Sequence, residues 1–393
     1  MSCLPETTKK GAETEKEQAA RALPEGVPPL TSLYLYISGS CNLACRHCWI
    51  EPDFRPDARN GRFLEFEYLR KAVTEAKPLG LRSVKLTGGE PMLHPRFREI
   101  VEWLDSEGMP IIIETNGTLV DDEMARFLKS RPAMNFISVS LDGARAETHE
   151  ELRGVPGSYE RAVGGIKALA AAGFRPQMIC TLHTGNVAEI DDILDLAGLL
   201  GCGSVKFNHI QRIGRGERLA QERGLTIETI IWLYRKLVAN RKNGHSPTIF
   251  FDIPMAFRPI RALLKGVQGY CSVLNILGVL SGGEMSLCGV GVTVPELIYG
   301  NLEKDKLGDI WREAAGLRDL RSCIPGGLEG ICGNCLHKDL CLGDCLAYNY
   351  YESRTLTGAY YFCRYAEERG LFPASRKRRL NGDMNGKETI EGL

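Results

Sequence analysis

SGSCNLACRHCW, residues 38–49, is the stretch on which the reading of this chain turns. It follows the alternating apolar run Leu33, Leu35, Ile37, so Cys41, Cys45 and Cys48 form a C-x3-C-x2-C array on a loop leaving a strand. Structural zinc wants four protein ligands, and so does an iron–sulfur cubane held by cysteine alone. Three thiolates leave one metal corner free, and a free corner points to chemistry. Half of a zinc site, or a loop merely rich in cysteine, stays open from this stretch alone.

The chain has 393 residues, 44% of them apolar, enough for two or three domains. Lys plus Arg equals Asp plus Glu at 49 each, so no global field draws it to nucleic acid or an anionic membrane, and neither partner is expected. No apolar run reaches the ~18 residues of a membrane span, and the first thirty residues lack a signal-peptide core. The expected location is cytoplasmic. In a reducing compartment fourteen cysteines point to metal or redox work rather than to disulfides. Three lie in residues 41–48 and eight between Cys271 and Cys363, while Cys3, Cys180 and Cys202 stand apart.

Residues 1–28 read as a flexible tail. From Leu33, β-branched or apolar runs alternate with amphipathic stretches: 33–38, 83–87, 110–114, 136–140, 177–182 and 204–208. Leu64, Tyr68, Leu69, Ala72, Val73 and Ala76 recur at helical spacing between the first two runs. Six successive βα units imply a parallel sheet, open or closed, with function at the carboxyl ends of the strands. Those ends carry the cysteine triplet, Gly88-Gly89-Glu90-Pro91, Asn116-Gly117 and Leu141-Asp142-Gly143. Each alone reads as a turn; together they line one mouth. His183, Asn208, His209 and Gln211 are further mouth candidates on strand ends five and six. A helix is expected at 226–240, capped by Thr226, and a boundary near 245, where short strands and cysteines take over. The expected division is 29–245 and 246–372, followed by a disordered tail at 373–393.

The triplet, with His47 before its last cysteine and GGEP at 88–91, resembles the signature of the radical S-adenosylmethionine (SAM) enzymes. The resemblance covers about residues 30–210 and implies a partial (β/α)6 TIM-like barrel. It further implies a [4Fe–4S] cluster on Cys41, Cys45 and Cys48 whose free iron is chelated by SAM. By the same resemblance Gly88 and Gly89 approach the methionine part, Glu90 accepts from its ammonium, Ser140, Asp142 and Asn116 reach ribose or carboxylate, and Arg153 of ELRG pairs with the carboxylate. For Arg153 a surface charge at a helix end is the alternative.

The second half is similar to the SPASM extension of radical SAM enzymes, a small cysteine-rich α+β iron–sulfur domain. Its pattern is Cys271-x11-Gly283-x4-Cys288, then Cys332-x2-Cys335-x5-Cys341-x3-Cys345, then Cys363. That likeness implies two auxiliary [4Fe–4S] clusters, one on Cys332, Cys335, Cys341 and Cys363 and the other on Cys271, Cys288 and Cys345. A four-thiolate zinc site on Cys332, Cys335, Cys341 and Cys345 is the runner-up. The second auxiliary cluster is one ligand short: either Cys323 completes it or an iron stays open.

A SPASM resemblance implies a ribosomally made peptide or a protein as substrate, with thioether formation, another crosslink or oxidation as the reaction. It also implies a reductant such as flavodoxin or ferredoxin. Gly289 follows Cys288 where anaerobic sulfatase maturases carry an aspartate, which disfavours that branch. With forty residues before Cys41, recognition of a peptide leader is expected to need a separate protein or another surface. The alternatives are a radical SAM enzyme acting on a small cofactor precursor such as a tetrapyrrole, and a non-catalytic metal-binding protein.

Overall fold

A computed structural model describes residues 23–55, 61–239, 247–264 and 271–378. Residues 1–22 and 379–393 of the expected tails, and the boundary near 245, lie outside them. The frame is one ten-stranded sheet. Six parallel strands follow the sequence order: β1 (Ser32–Ser38), β2 (Ser83–Gly88), β3 (Ile111–Thr115), β4 (Met134–Ser140), β5 (Gln177–Leu182) and β6 (Ser204–His209). Each connection carries at least one helix, as parallel neighbours require. This mixed α/β sheet is that of a partial TIM-like barrel.

The first of those helices, Phe66–Ala76, buries Leu69, Ala72, Val73 and Ala76 of the stripe expected from the sequence, together with Phe66, while Tyr68 is only partly buried. Leu69 is fully enclosed, worth about 1.5–3 kcal/mol over an exposed leucine. The helix Ile227–Ala239 starts where expected, with the Thr229 N–H donating to Thr226 Oγ1 at 3.2 Å.

Residues after the expected boundary extend the same sheet at both edges. β7 (Thr248–Phe251) pairs parallel with β6, and β8 (Ile276–Val279) pairs parallel with β1, Ser32 opposite Ile276. β9 (Glu284–Ser286) and β10 (Ile298–Asn301) continue antiparallel beyond β8. The division at 245 is one of sequence character; the hydrogen-bonded sheet crosses it. Beyond β10 come short helices and the loops between them, bearing the remaining cysteines. Residues 373–378 of the expected tail are bonded to the Cys335 loop: Leu336 N–H donates to Arg376 O (2.9 Å) and Arg378 N–H to Asn334 O (2.8 Å).

Candidate functional site

The cysteine loop is held by a helix end. Ala44 N–H donates to the Arg153 carbonyl (3.1 Å) and Arg46 N–H to that of Leu152 (2.9 Å), so the last carbonyls of helix Ala146–Arg153 take their hydrogen bonds from the loop. Gly154 makes this approach possible. Its φ of +73° turns the chain under Ala44, whose carbonyl oxygen lies 2.6 Å from where a Cβ would stand. On the other side, the Gly89 and Glu90 N–H groups donate to the carbonyls of Ser38 (2.7 Å) and Ser40 (2.9 Å). A Cβ on Gly88 or Gly89 would come within 2.4 and 2.1 Å of those same oxygens. These glycines are needed because β2 is pressed against the exit of β1.

Cys41, Cys45 and Cys48 face a cavity of about 420 Å³ at the carboxyl ends of the strands. His47, Gly88, Gly89, Asn116, Ser140 and Arg153 line it too. The partners of the first two thiols are donors: Leu43 N–H (3.4 Å) and Asn116 Nδ2 (3.8 Å) to Cys41, and Arg153 Nη1 (3.6 Å) to Cys45. A sulfur met only by donors is suited to thiolate, the form that ligates metal. Burial otherwise pushes the Cys41 thiol up, helped by Cys45 and Glu90, so deprotonation there waits for a cation to displace the proton. Burial, then the Arg153 charge, lowers His47 to about 3, leaving a neutral ring with its Nδ1 buried and unpartnered.

Two predicted site residues stand behind the wall. Glu90 is fully buried, and its carboxylate accepts from Thr115 Oγ1 (2.7 Å), Asn116 N–H (2.8 Å) and Met92 N–H (3.1 Å). Burial pushes its carboxyl up to about 7 against those hydrogen bonds. It braces the β3 end that presents Asn116. Asp142, also fully buried, accepts from Arg153 Nε (2.5 Å) and from Thr181 N–H (2.8 Å). Burial alone would raise it; the Arg153 guanidinium overrides burial and holds it down at about 2. Arg153 is 7% exposed, an inward residue and not a surface charge.

The same pair imposes a pH dependence through His149, which is buried and accepts the Asp142 N–H at Nδ1 (3.1 Å). Burial, then Arg153, lowers it from 6.5 to about 4, against the pull of Asp142. Above pH 6.5 the ring is neutral folded or unfolded. Below it the unfolded chain binds a proton that the folded chain refuses, so stability falls with pH down to about 4, by about 1.4 kcal/mol per pH unit. His149→Asn keeps an acceptor for that N–H without a titrating ring. Between pH 6.5 and 5 it is expected to lose about 2 kcal/mol less than the wild type in urea denaturation; equal slopes would clear His149.

The later cysteines fall into two groups. Cys332, Cys335, Cys341 and Cys363 line one small pocket with Leu328, Ile331 and Phe372. Tyr360 N–H donates to Cys332 (3.3 Å) and His337 N–H to Cys335 (3.4 Å). Cys345 is not among them; with Cys288 it lines the large cavity that the first triplet faces. Cys271 lies within electrostatic reach of both Cys288 and Cys345. Cys323 lines neither space. Among the described residues no three His, Cys, Asp or Glu converge as on a single ion; a cubane, with irons at separate corners, does not ask that of its ligands. Gly289 packs under Tyr36, whose ring lies 2.4 Å from a Cβ built there, so the position has no room for an acid.

Of the mouth candidates, Asn208, His209 and Gln211 line the cavity, whereas His183 is buried with Nδ1 accepting from Gly185 N–H (3.0 Å). Tyr36, Glu114, Lys206, Arg215 and Asp252 also line it and were not singled out from the sequence. The inward alternation of Lys206 with Asn208 was the available signal.

Residues 35–197 match the model of the Radical SAM superfamily. The class of this segment is thereby set: residues 35–197 are a radical SAM domain, with SAM and a [4Fe–4S] cluster implied. The chain is similar to the AdoMet-dependent heme synthase of Methanosarcina barkeri, 29% identical over 78% of this chain and 88% of that one. It is likewise similar to the mycofactocin maturase MftC of Mycobacterium ulcerans, 29% identical over 81% and 84%. In fold it resembles Streptococcus suis SuiB bound to precursor peptide SuiA, with a TM-score of 0.70 at 16% identity, covering 88% of this chain and 79% of that one. No helix among the described residues is long and apolar enough to cross a membrane.

Proposed function

We propose that this enzyme is a maturase of a ribosomally made peptide, which it oxidises or crosslinks by hydrogen abstraction. One observation carries the reading: Cys41, Cys45 and Cys48 share a single cavity with Cys288 and Cys345, so a substrate segment there lies between two cysteine groups. Likeness to the mycofactocin maturase and to a fold seen with a precursor peptide supports it. Cys41, Cys45 and Cys48 hold the SAM-binding cluster; Cys332, Cys335, Cys341 and Cys363 hold one auxiliary cluster, and Cys271, Cys288 and Cys345 another with an open corner. With SAM beside it, the reduced cluster that Cys41, Cys45 and Cys48 would hold would supply the one electron that cleaves the sulfonium to methionine and a hydrogen-abstracting 5′-deoxyadenosyl radical.

The protein's own part is positional. Arg153 donates to Cys45 while Asp142 fixes its guanidinium, Asn116 donates to Cys41, and neutral His47 packs beside them. Gly88, Gly89 and Ser140 form the wall that SAM faces, with Glu90 and Asp142 acting from behind it. A flavodoxin or ferredoxin supplies the electron.

The heme synthase likeness favours a second reading, a tetrapyrrole substrate. Anaerobic incubation with SAM, reductant and any short peptide that a neighbouring gene encodes, or with iron-coproporphyrin, separates the two. Loss of hydrogens from the peptide, read by mass, is expected; a change in the tetrapyrrole alone would replace this reading.

A further inference from the structure

Two cations in the cavity wall make no ion pair, although Lys206 lies within electrostatic reach of Glu114. Arg153 is neutralised by Asp142, and Glu114 is held by Lys85 at 2.9 Å. Asp252, the other lining acid, faces His209 across 3.9 Å. Lys206 on β6 and Arg215 on the loop after it both line the cavity, and among the described residues neither makes an ion pair or a side-chain hydrogen bond. Arg215 Nε and Nη2 are buried without any partner. Those two N–H groups form one edge of the guanidinium, the edge a carboxylate engages through two parallel bonds. Burying charged donors unpaired is costly, and a bound anion relieves it. Nor is the loop free to turn Arg215 outward: its N–H donates to the Cys48 carbonyl (3.1 Å), and at Gly216 a Cβ would strike Gln211 O at 2.3 Å.

We propose that Lys206 and Arg215 are a receptor for a carboxylate of the substrate, so that the group brought into the cavity is an acid. Taking that acid to be an aspartate, a glutamate or the C-terminus of a peptide rests on the maturase reading; the receptor itself does not. SAM also carries a carboxylate, and the thiolates near Cys271 are a second anion within reach of Lys206, so the test has an arm for each.

The probes are propionate and propionamide, which differ only in the anion, offered to the anaerobically reconstituted protein with SAM bound and read by saturation-transfer NMR. Propionate is expected to bind and propionamide not. Lys206→Met and Arg215→Gln are each expected to weaken propionate at least about tenfold, and Lys206→Arg to restore most of it, with SAM affinity by equilibrium dialysis and iron content retained. Equal binding of the amide, or unchanged propionate binding in both variants, overturns the proposal. So does loss of SAM affinity, which would give the cations to methionine, or loss of iron, which would give Lys206 to the thiolates. Propionate binding with no peptide converted would sink the maturase reading and leave the receptor standing.

Discussion

With Cys41, Cys45 and Cys48 replaced together by alanine, the reconstituted protein is expected to lose about four irons per chain and to cleave SAM more slowly by at least about a thousandfold. Iron analysis and 5′-deoxyadenosine release under reductant measure both. The drop is large because the three thiols share one cavity and the other cysteines face elsewhere or across it, so no neighbour can substitute. The fold should persist. The loop hangs on backbone bonds from Ala44 and Arg46 to a helix end, which do not involve the thiols, and the circular dichroism spectrum should be unchanged. Retained iron with intact SAM cleavage would move the radical source away from this loop.

Arg153→Ala is expected to destabilise the protein by about 3–5 kcal/mol, because it leaves the Asp142 carboxylate buried without its partner. Asp142 is fully enclosed, and its other contacts, Thr181 N–H and the His149-bound backbone, cannot supply a charge. Removing both charges, as Asp142→Asn with Arg153→Gln, should recover part of the loss, since no orphaned charge remains. Urea denaturation of Arg153→Ala and of the double variant measures the loss and its recovery. A cost below about 1 kcal/mol for Arg153→Ala would put the pair in contact with water.

Much of the frame was legible because its pattern is local. The run at 110–114 appears as Ile111–Thr115 and that at 177–182 as Gln177–Leu182, since alternation and length alone identify such strands. β7 and β8 were not legible. TIFF and ILGV are four-residue runs too short to show a period, and β1, the partner of β8, lies far away in sequence. The site divides the same way. Three cysteines in eight residues announce themselves, but which way a strand-end acid faces does not: Glu90 and Asp142 sit at the expected ends and turn behind the wall. Arg153 looked equally like a surface charge, and what decides is the left-handed turn at Gly154 carrying it under the cysteine loop. Lys206 and Arg215 were invisible as a pair because a missing ion pair is a property of packing.

The pairing of β8 with β1 bears on how this enzyme can be taken apart. The strand that launches the cysteine loop has β2 on one side and, on the other, a strand some 240 residues further along, Thr31 N–H also donating to Asn275 O. Cutting the chain after β6 would strip β1 of that neighbour and leave its hydrogen-bonding edge open to aggregation. The radical-generating half is therefore not a module to be expressed, swapped or fused alone. Its first strand is completed only after most of the chain has been made, which ties assembly of the cysteine loop to one of the longest-range closures in the sheet.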